Sequence, residues 1–165
     1  MFTRRSAVSL FVGLFVAVTA ASVFAANVHF KGGQPTCTAD GLTITCTGQL
    51  AGLGNEDVKV DISGSATFET TCQNRGGTEA PGQNPAISQF SGSVSIPANE
   101  IKNGTTPFLA EATITEPTPT AAEAGCPNGN WTVNVGEATG FSSVTLTVEQ
   151  PAGTVVLGPI TVPVQ

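Results

Sequence analysis

The stretch Val58-Lys59-Val60-Asp61-Ile62-Ser63-Gly64-Ser65-Ala66-Thr67-Phe68-Glu69-Thr70-Thr71-Cys72 changes character at every step. Val58, Val60, Ile62, Ala66, Phe68 and Cys72 share one phase with Gly64 and Thr70. Lys59, Asp61, Ser63, Ser65, Thr67, Glu69 and Thr71 hold the other. Successive side chains of a strand point to opposite faces, whereas a helix would scatter these residues around its axis. The stretch therefore predicts one long strand with an apolar face that ends in a cysteine. Gly64 predicts a bulge or bend partway along it.

The same period recurs on both sides. Leu42, Ile44 and Cys46 alternate with threonines. Phe90, Gly92, Val94 and Ile96 alternate with serines. Phe108, Ala110, Ala112 and Ile114 form another series, as do Trp131, Val133 and Val135, then Val144, Leu146 and Val148, and lastly Val156, Gly158, Ile160, Val162 and Val164. Gly, Pro and Asn clusters separate these runs, and β-branched residues, which fit a pleated surface, outnumber good helix formers. The pattern predicts an all-β fold: one antiparallel, immunoglobulin-like β-sandwich of about seven to eight strands.

The N-terminal residues read as a secretory signal. Arg4 and Arg5 precede an apolar stretch from Ala7 to Val18, and Val23-Phe24-Ala25 supplies a small-residue cleavage site after Ala25. A membrane anchor is the rival reading, but a span needs roughly 20 apolar residues. Thr3-Arg4-Arg5 lacks the rest of a twin-arginine motif, so the general secretory route is expected. The expected organisation is a signal peptide over residues 1–25 and one domain over 26–165. No cysteine follows the cleavage site to accept lipid, and Leu157-Gly158-Pro159-Ile160-Thr161 is not a cell-wall sorting sequence. The expected product is free, outside the cell or in a periplasm.

Without Arg4 and Arg5, four basic residues (Lys31, Lys59, Arg75 and Lys102) face twelve acidic ones, a net charge of −8. Polyanions need a clustered positive surface, so nucleic acid and an anionic membrane are not expected as partners. The four cysteines, Cys37, Cys46, Cys72 and Cys126, read as two disulfides in an exported chain. Three connectivities are possible. Asp40-Gly41 marks a hairpin, and a four-residue loop from Asp40 to Thr43 sets Cys37 opposite Cys46. That register favours Cys37–Cys46 and leaves Cys72–Cys126.

Ala51-Gly52-Leu53-Gly54-Asn55 ahead of Asp57-Val58, Pro81-Gly82-Gln83-Asn84-Pro85, and Ala124-Gly125-Cys126-Pro127 followed by Asn130-Trp131 resemble strings in an uncharacterised group of small secreted bacterial proteins. The resemblance implies bacterial export and the same four-cysteine frame, and it transfers no ligand or active residue. In architecture and composition, without a shared motif, the chain also resembles the apoproteins of actinomycete chromoprotein antibiotics, which are small acidic sandwiches with two disulfides.

Catalytic constellations are weak. His29 is the only histidine, so no histidine base accompanies a serine. Gly92-Ser93-Val94 and Ser63-Gly64-Ser65 fall inside predicted strands and not in a G-x-S-x-G elbow. Glu56, Asp57 and Asp61 are the densest acids, but no calcium-loop pattern is present, and solvated carboxylates beside Lys59 are the expected state. No metal or cofactor is implied, because the cysteines and His29 lack zinc spacing. Trp131, in phase with Val133 and Val135, is expected in the core near Cys126. Asn103-Gly104-Thr105 and Asn130-Trp131-Thr132 match the glycosylation pattern, which in a bacterial protein is coincidence.

The expected function is that of a secreted, non-catalytic binding or structural module for a protein or small-molecule ligand. Its alternatives are a carrier of a small apolar ligand, with a groove lined by Phe or Leu, and a secreted enzyme inhibitor. Loops on a rigid scaffold carry recognition. The candidate surface is therefore Gln73 to Pro85, the long polar loop after Cys72, together with Glu116 to Asn130, drawn together by the Cys72–Cys126 bridge. Its candidate residues are Gln73, Asn74, Arg75, Glu79, Gln83, Asn84, Glu123, Asn128 and Asn130.

Overall fold

The computed structural model describes residues 27–165, so the predicted signal peptide lies outside the described residues. The strands are β1 (His29–Phe30), β2 (Thr36–Asp40), β3 (Thr43–Ala51), β4 (Val58–Gln73), β5 (Glu79–Pro81), β6 (Ala86–Ile96), β7 (Thr105–Thr113), β8 (Thr132–Phe141), β9 (Val144–Glu149) and β10 (Val155–Val162). Among the described residues a single 3₁₀ turn, Ala98–Glu100, interrupts them. The chain is all-β, and its strand ladders are antiparallel.

β4 is the predicted long strand. Val58, Val60, Ile62, Ala66, Phe68, Thr70 and Cys72 are buried, in the phase read from the sequence. Its 16 residues are longer than any neighbour can pair alone, so each edge takes two strands in tandem. On one edge β6 pairs with Val58 to Phe68 and β5 with Thr71 to Gln73. On the other edge β9 pairs with Lys59 to Ser63 and β8 with Ala66 to Gln73. Between β8 and β9, Ser142 bridges the gap: Ser65 N donates to Ser142 Oγ at 2.8 Å and Ser142 N donates to Ser65 O at 2.8 Å. β10 completes this sheet beside β9.

The second sheet is centred on β3, with β7 along one edge and β2 and β1 along the other. Both sheets contribute to one apolar core, which joins Ile44, Leu50, Phe108, Ala110 and Ile114 to Val60, Ile62, Phe68, Leu146 and Val148. Burial of each such aliphatic or aromatic side chain is worth about 1.5–3 kcal/mol before chain entropy is subtracted. The C-terminus leaves β10 and pairs with β2, Gln165 N donating to Cys37 O at 3.0 Å. At the opposite side β6 runs so close to β7 that a Cβ on Gly92 would stand 1.9 Å from the Glu111 carbonyl oxygen.

Cys37–Cys46 and Cys72–Cys126 are the disulfides. Asp40 pairs with Thr43, and Cys37 with Cys46, as the register argument requires. Gly41, at φ +56°, holds the first central turn position, which type II′ hairpin turns reserve for glycine.

Three expectations change. Gly64 makes no bulge, because the β4–β6 register runs unbroken through Gly64 opposite Phe90. Its missing side chain makes room for the Phe90 ring. The irregularities fall instead on the β8 side of β4. The loop after Cys72 is short: Asn74–Thr78 is a hairpin tip, tied by Asn74 Oδ1 accepting from Gly76 N and Thr78 N at 2.9 Å each, and β5 follows. Trp131 is half-buried just ahead of β8 and lies outside the core. No residue of β8 itself is fully buried.

Candidate functional site

The uncovered inward face of β8 forms a cleft. Strict alternation from Val133 and Val135 would next turn Glu137 inward, but two irregularities shift the phase. Val135 pairs with Thr70 and Ala138 with Phe68, so Gly136 and Glu137 together stand opposite Glu69. One further residue, Thr139, is inserted before Gly140 meets Thr67. The inward set becomes Val133, Val135, Ala138 and Phe141, opposite the buried Cys72, Thr70, Phe68 and Ala66. Bulges of this kind bend a strand and re-aim side chains.

Across from this face stands the β2–β3 hairpin. Its tip ends the second sheet and leaves a gap between the two. The open cleft there has a volume of about 430 Å³ and is lined by Ala39, Gly41, Leu42, Phe68, Glu116, Glu137, Ala138 and Phe141. Phe68 is fully buried, whereas Ala39, Leu42, Ala138 and Phe141 are half-buried and only partly covered by the core they flank. Two exposed carboxylates complete the lining. Glu116 is set by the strap leaving β7, in which Ile114 N donates to the Leu42 carbonyl at 2.7 Å. Glu137 lies within the β8 bulge, with Gly136 opposite Glu69. Among the described residues neither carboxylate has an ion-pair or hydrogen-bond partner and no basic side chain lines the cleft.

The predicted loop surface is brought together in part. Gln83 N and Asn84 N donate to the Ala124 carbonyl at 2.9 and 3.2 Å, and Asn84 Nδ2 donates to the Glu123 carbonyl at 3.0 Å. Thr70 Oγ1 donates to the Asn84 carbonyl at 2.8 Å, which ties this junction to β4. Gln73 and Glu79 bond each other at 3.2 Å on the paired ends of β4 and β5. Arg75 is exposed at the hairpin tip. Asn128 accepts from Asn130 N through Oδ1 at 3.0 Å in the turn before Trp131. These side chains thus serve largely to hold their own loops. Beside them Asn84, Pro85, Ile87, Pro117, Pro119 and Glu123 line a shallow groove of about 400 Å³. The connector Glu116–Pro119 separates this groove from the cleft, since Glu116 faces the cleft and Pro117 the groove.

The segment that carries Cys126 is a single capped turn. Glu123 Oε2 accepts from Thr120 N at 2.7 Å and from Thr120 Oγ1 at 2.8 Å, and Glu123 N donates back to Thr120 Oγ1 at 3.3 Å. At the far end Cys126 N donates to the Ala121 carbonyl at 2.8 Å and Gly125 N to that of Ala122 at 3.1 Å, with Gly125 at φ +68°. This is a capping box closed by a Schellman motif. The backbone and side-chain bonds from Thr120 hold the Glu123 carboxyl below its ordinary range.

The acidic trio is committed elsewhere. Asp57 Oδ1 accepts from Ala98 N at 2.8 Å and caps the 3₁₀ turn. Asp61 pairs with Lys59 at 2.7 Å, and that hydrogen bond holds the Lys59 ammonium above the usual lysine range. Glu56 lends only its carbonyl, to Gln150 Nε2. His29 is exposed, its Nδ1 donating to the Asn27 carbonyl at 2.8 Å. No group of three or more His, Cys, Asp or Glu residues suited to a metal ion occurs among the described residues.

Comparison with protein-family models, curated proteins and solved structures finds no match. The two disulfides suit an oxidising, extracellular or periplasmic setting. No helix among the described residues is long and apolar enough to cross a membrane.

Proposed function

We propose that the chain is an exported, non-catalytic binding protein that holds a small apolar ligand between its β2–β3 hairpin and β8. One observation carries this reading: the cleft walled by Leu42, Ala138 and Phe141 over Phe68 is left unfilled by core side chains. Its volume of about 430 Å³ falls among small-molecule sites, which run to roughly 300–1,000 Å³ and are lined chiefly by apolar groups. An immunoglobulin-like sandwich suits the role, because a disulfide-pinned scaffold presents a preformed site with little ordering cost on binding. The chromoprotein-apoprotein likeness points the same way by analogy of fold alone.

The test is titration of the disulfide-bonded protein with 2-naphthylmethanol, a neutral apolar probe. Saturable binding that Leu42→Trp and Ala138→Trp each abolish, with unchanged circular dichroism, supports the reading. Binding untouched by both variants refutes it.

A second reading, a protein-docking surface at the predicted loops, is favoured by Ile87, which is 61% exposed in the groove beside Pro85, Pro117 and Pro119. It predicts that Ile87→Asp leaves naphthyl binding intact and abolishes capture of a partner that photo-crosslinks at position 87.

A further inference from the structure

We infer that the ligand of this cleft is a cation: a protonated amine on an apolar body, with Glu116 and Glu137 selecting its charge. The inference rests on the cleft being a binding site, as proposed above, and goes beyond it by naming the ligand's chemistry and the residues that choose it.

Three features converge. Leu42, Ala138 and Phe141 give the cleft an apolar wall over the buried Phe68. Among the described residues, the only charged groups in the lining are the carboxylates of Glu116 and Glu137, which come from separate segments. Glu137 lies within the β8 bulge, directly before Ala138, which the shifted phase turns inward on the same strand. An unbulged β8 would have kept the odd phase of Val133 and Val135, removing Ala138 from the wall.

The basic residues of the described domain lie elsewhere. Lys31 follows β1 beside Gln49, Lys59 is paired to Asp61, Lys102 Nζ donates to the Asn99 carbonyl, and Arg75 sits at the Asn74–Thr78 hairpin tip; none of them lines the cleft. Internal neutralisation of the cleft is therefore not provided by the described residues. An anionic ligand would meet two carboxylates without a counter-charge. A neutral one would gain only apolar burial. An amine gains both, since each charge pair at a solvent-exposed rim adds a modest attraction that salt weakens. The charge-selecting pair thus sets preference, and burial of the half-exposed Leu42, Ala138 and Phe141 supplies most of the affinity.

The experiment compares 2-naphthylmethylamine, 2-naphthylmethanol and 2-naphthoate on the disulfide-bonded protein at low salt and neutral pH. The expected order is amine, then alcohol, then carboxylate, with the amine favoured over the alcohol by about three- to tenfold. In Glu116→Gln/Glu137→Gln the amine falls to the affinity of the alcohol while the alcohol is unchanged, and added salt erases the same difference in the native chain. Equal binding of amine and alcohol, or an amine preference that survives the double variant, overturns the cationic ligand and leaves the apolar cleft standing. Failure of all three probes overturns both.

Discussion

The ring of Phe90 lies across Gly64 of the neighbouring strand: a Cβ built on Gly64 would stand 2.5 Å from the Phe90 Cζ. The two are ladder partners, and the second sheet repeats the arrangement, with Gly48 opposite Phe108 and its Cβ position 2.7 Å from Cε1. Each phenyl ring covers a strand position that has no side chain of its own. Both rings are buried, so neither can swing aside freely. Gly64→Ala is expected to cost about 1–3 kcal/mol by overpacking, read as a lower denaturant midpoint. Gly92→Ala is expected to cost more, about 3 kcal/mol or above, because its neighbour is the Glu111 backbone and cannot rotate away.

The disulfides divide the stabilisation unequally. Cys72 and Cys126 are separated by 54 residues and Cys37 and Cys46 by 9. The chain-entropy relation then assigns about 4 kcal/mol to the first bridge and about 3 kcal/mol to the second. Paired cysteine-to-alanine variants, unfolded in urea, should rank in that order. Loss of Cys72–Cys126 should also raise amide exchange at Gln83 and Asn84, which hang on the Ala124 carbonyl.

Gln150 is 2% exposed, and its amide bridges two backbone groups: Gly54 N donates to Oε1 at 2.8 Å and Nε2 donates to the Glu56 carbonyl. Gln150→Leu fills similar space but strands both partners. A loss of about 2 kcal/mol is expected, with Gln150→Glu worse, since a carboxylate cannot donate to Glu56. Equilibrium urea unfolding measures both.

Acid should loosen the turn that carries Cys126. The Glu123 carboxyl is held below its ordinary range by Thr120, so its folded pKa lies beneath its unfolded one. Its contribution is therefore complete above the ordinary glutamate range and is lost as pH falls through the depressed folded value. Amide exchange at Ala124 and Cys126 should accelerate in that acid window. In Glu123→Gln the acid-dependent part should vanish, leaving exchange that is faster already at neutral pH.

Alternation made most of the fold legible, because a strand buried on one face writes its period directly into the residues. β9 follows that rule throughout, β4 breaks it only at the half-buried Gly64 and the buried Thr70, and β7 only at the buried Thr106; the Cys37–Cys46 register follows from counting across the hairpin. β8 was legible only as far as Val135. Beyond it, Gly136, Glu137 and Thr139 break the phase, and a bulge that alters parity looks in sequence like the end of a strand. The cleft lies where that happens, so alternation does not single out Ala138, Phe141 and Glu137 as site residues. Gly64 misled because the sequence shows a missing side chain and not the ring that fills its place. The turn at Thr120-Ala121-Ala122-Glu123-Ala124-Gly125 carried a readable signal, a threonine with glutamate three residues on and then a glycine, but it is one turn long and has no helical period around it.

The most direct measurement is chemical-shift mapping of the disulfide-bonded protein titrated with 2-naphthylmethanol. The cleft account predicts saturable shifts concentrated at Ala39, Leu42, Ala138 and Phe141, with the groove around Ile87 and Pro119 unmoved. Saturable shifts centred on that groove, or none at the hairpin and β8, would contradict it.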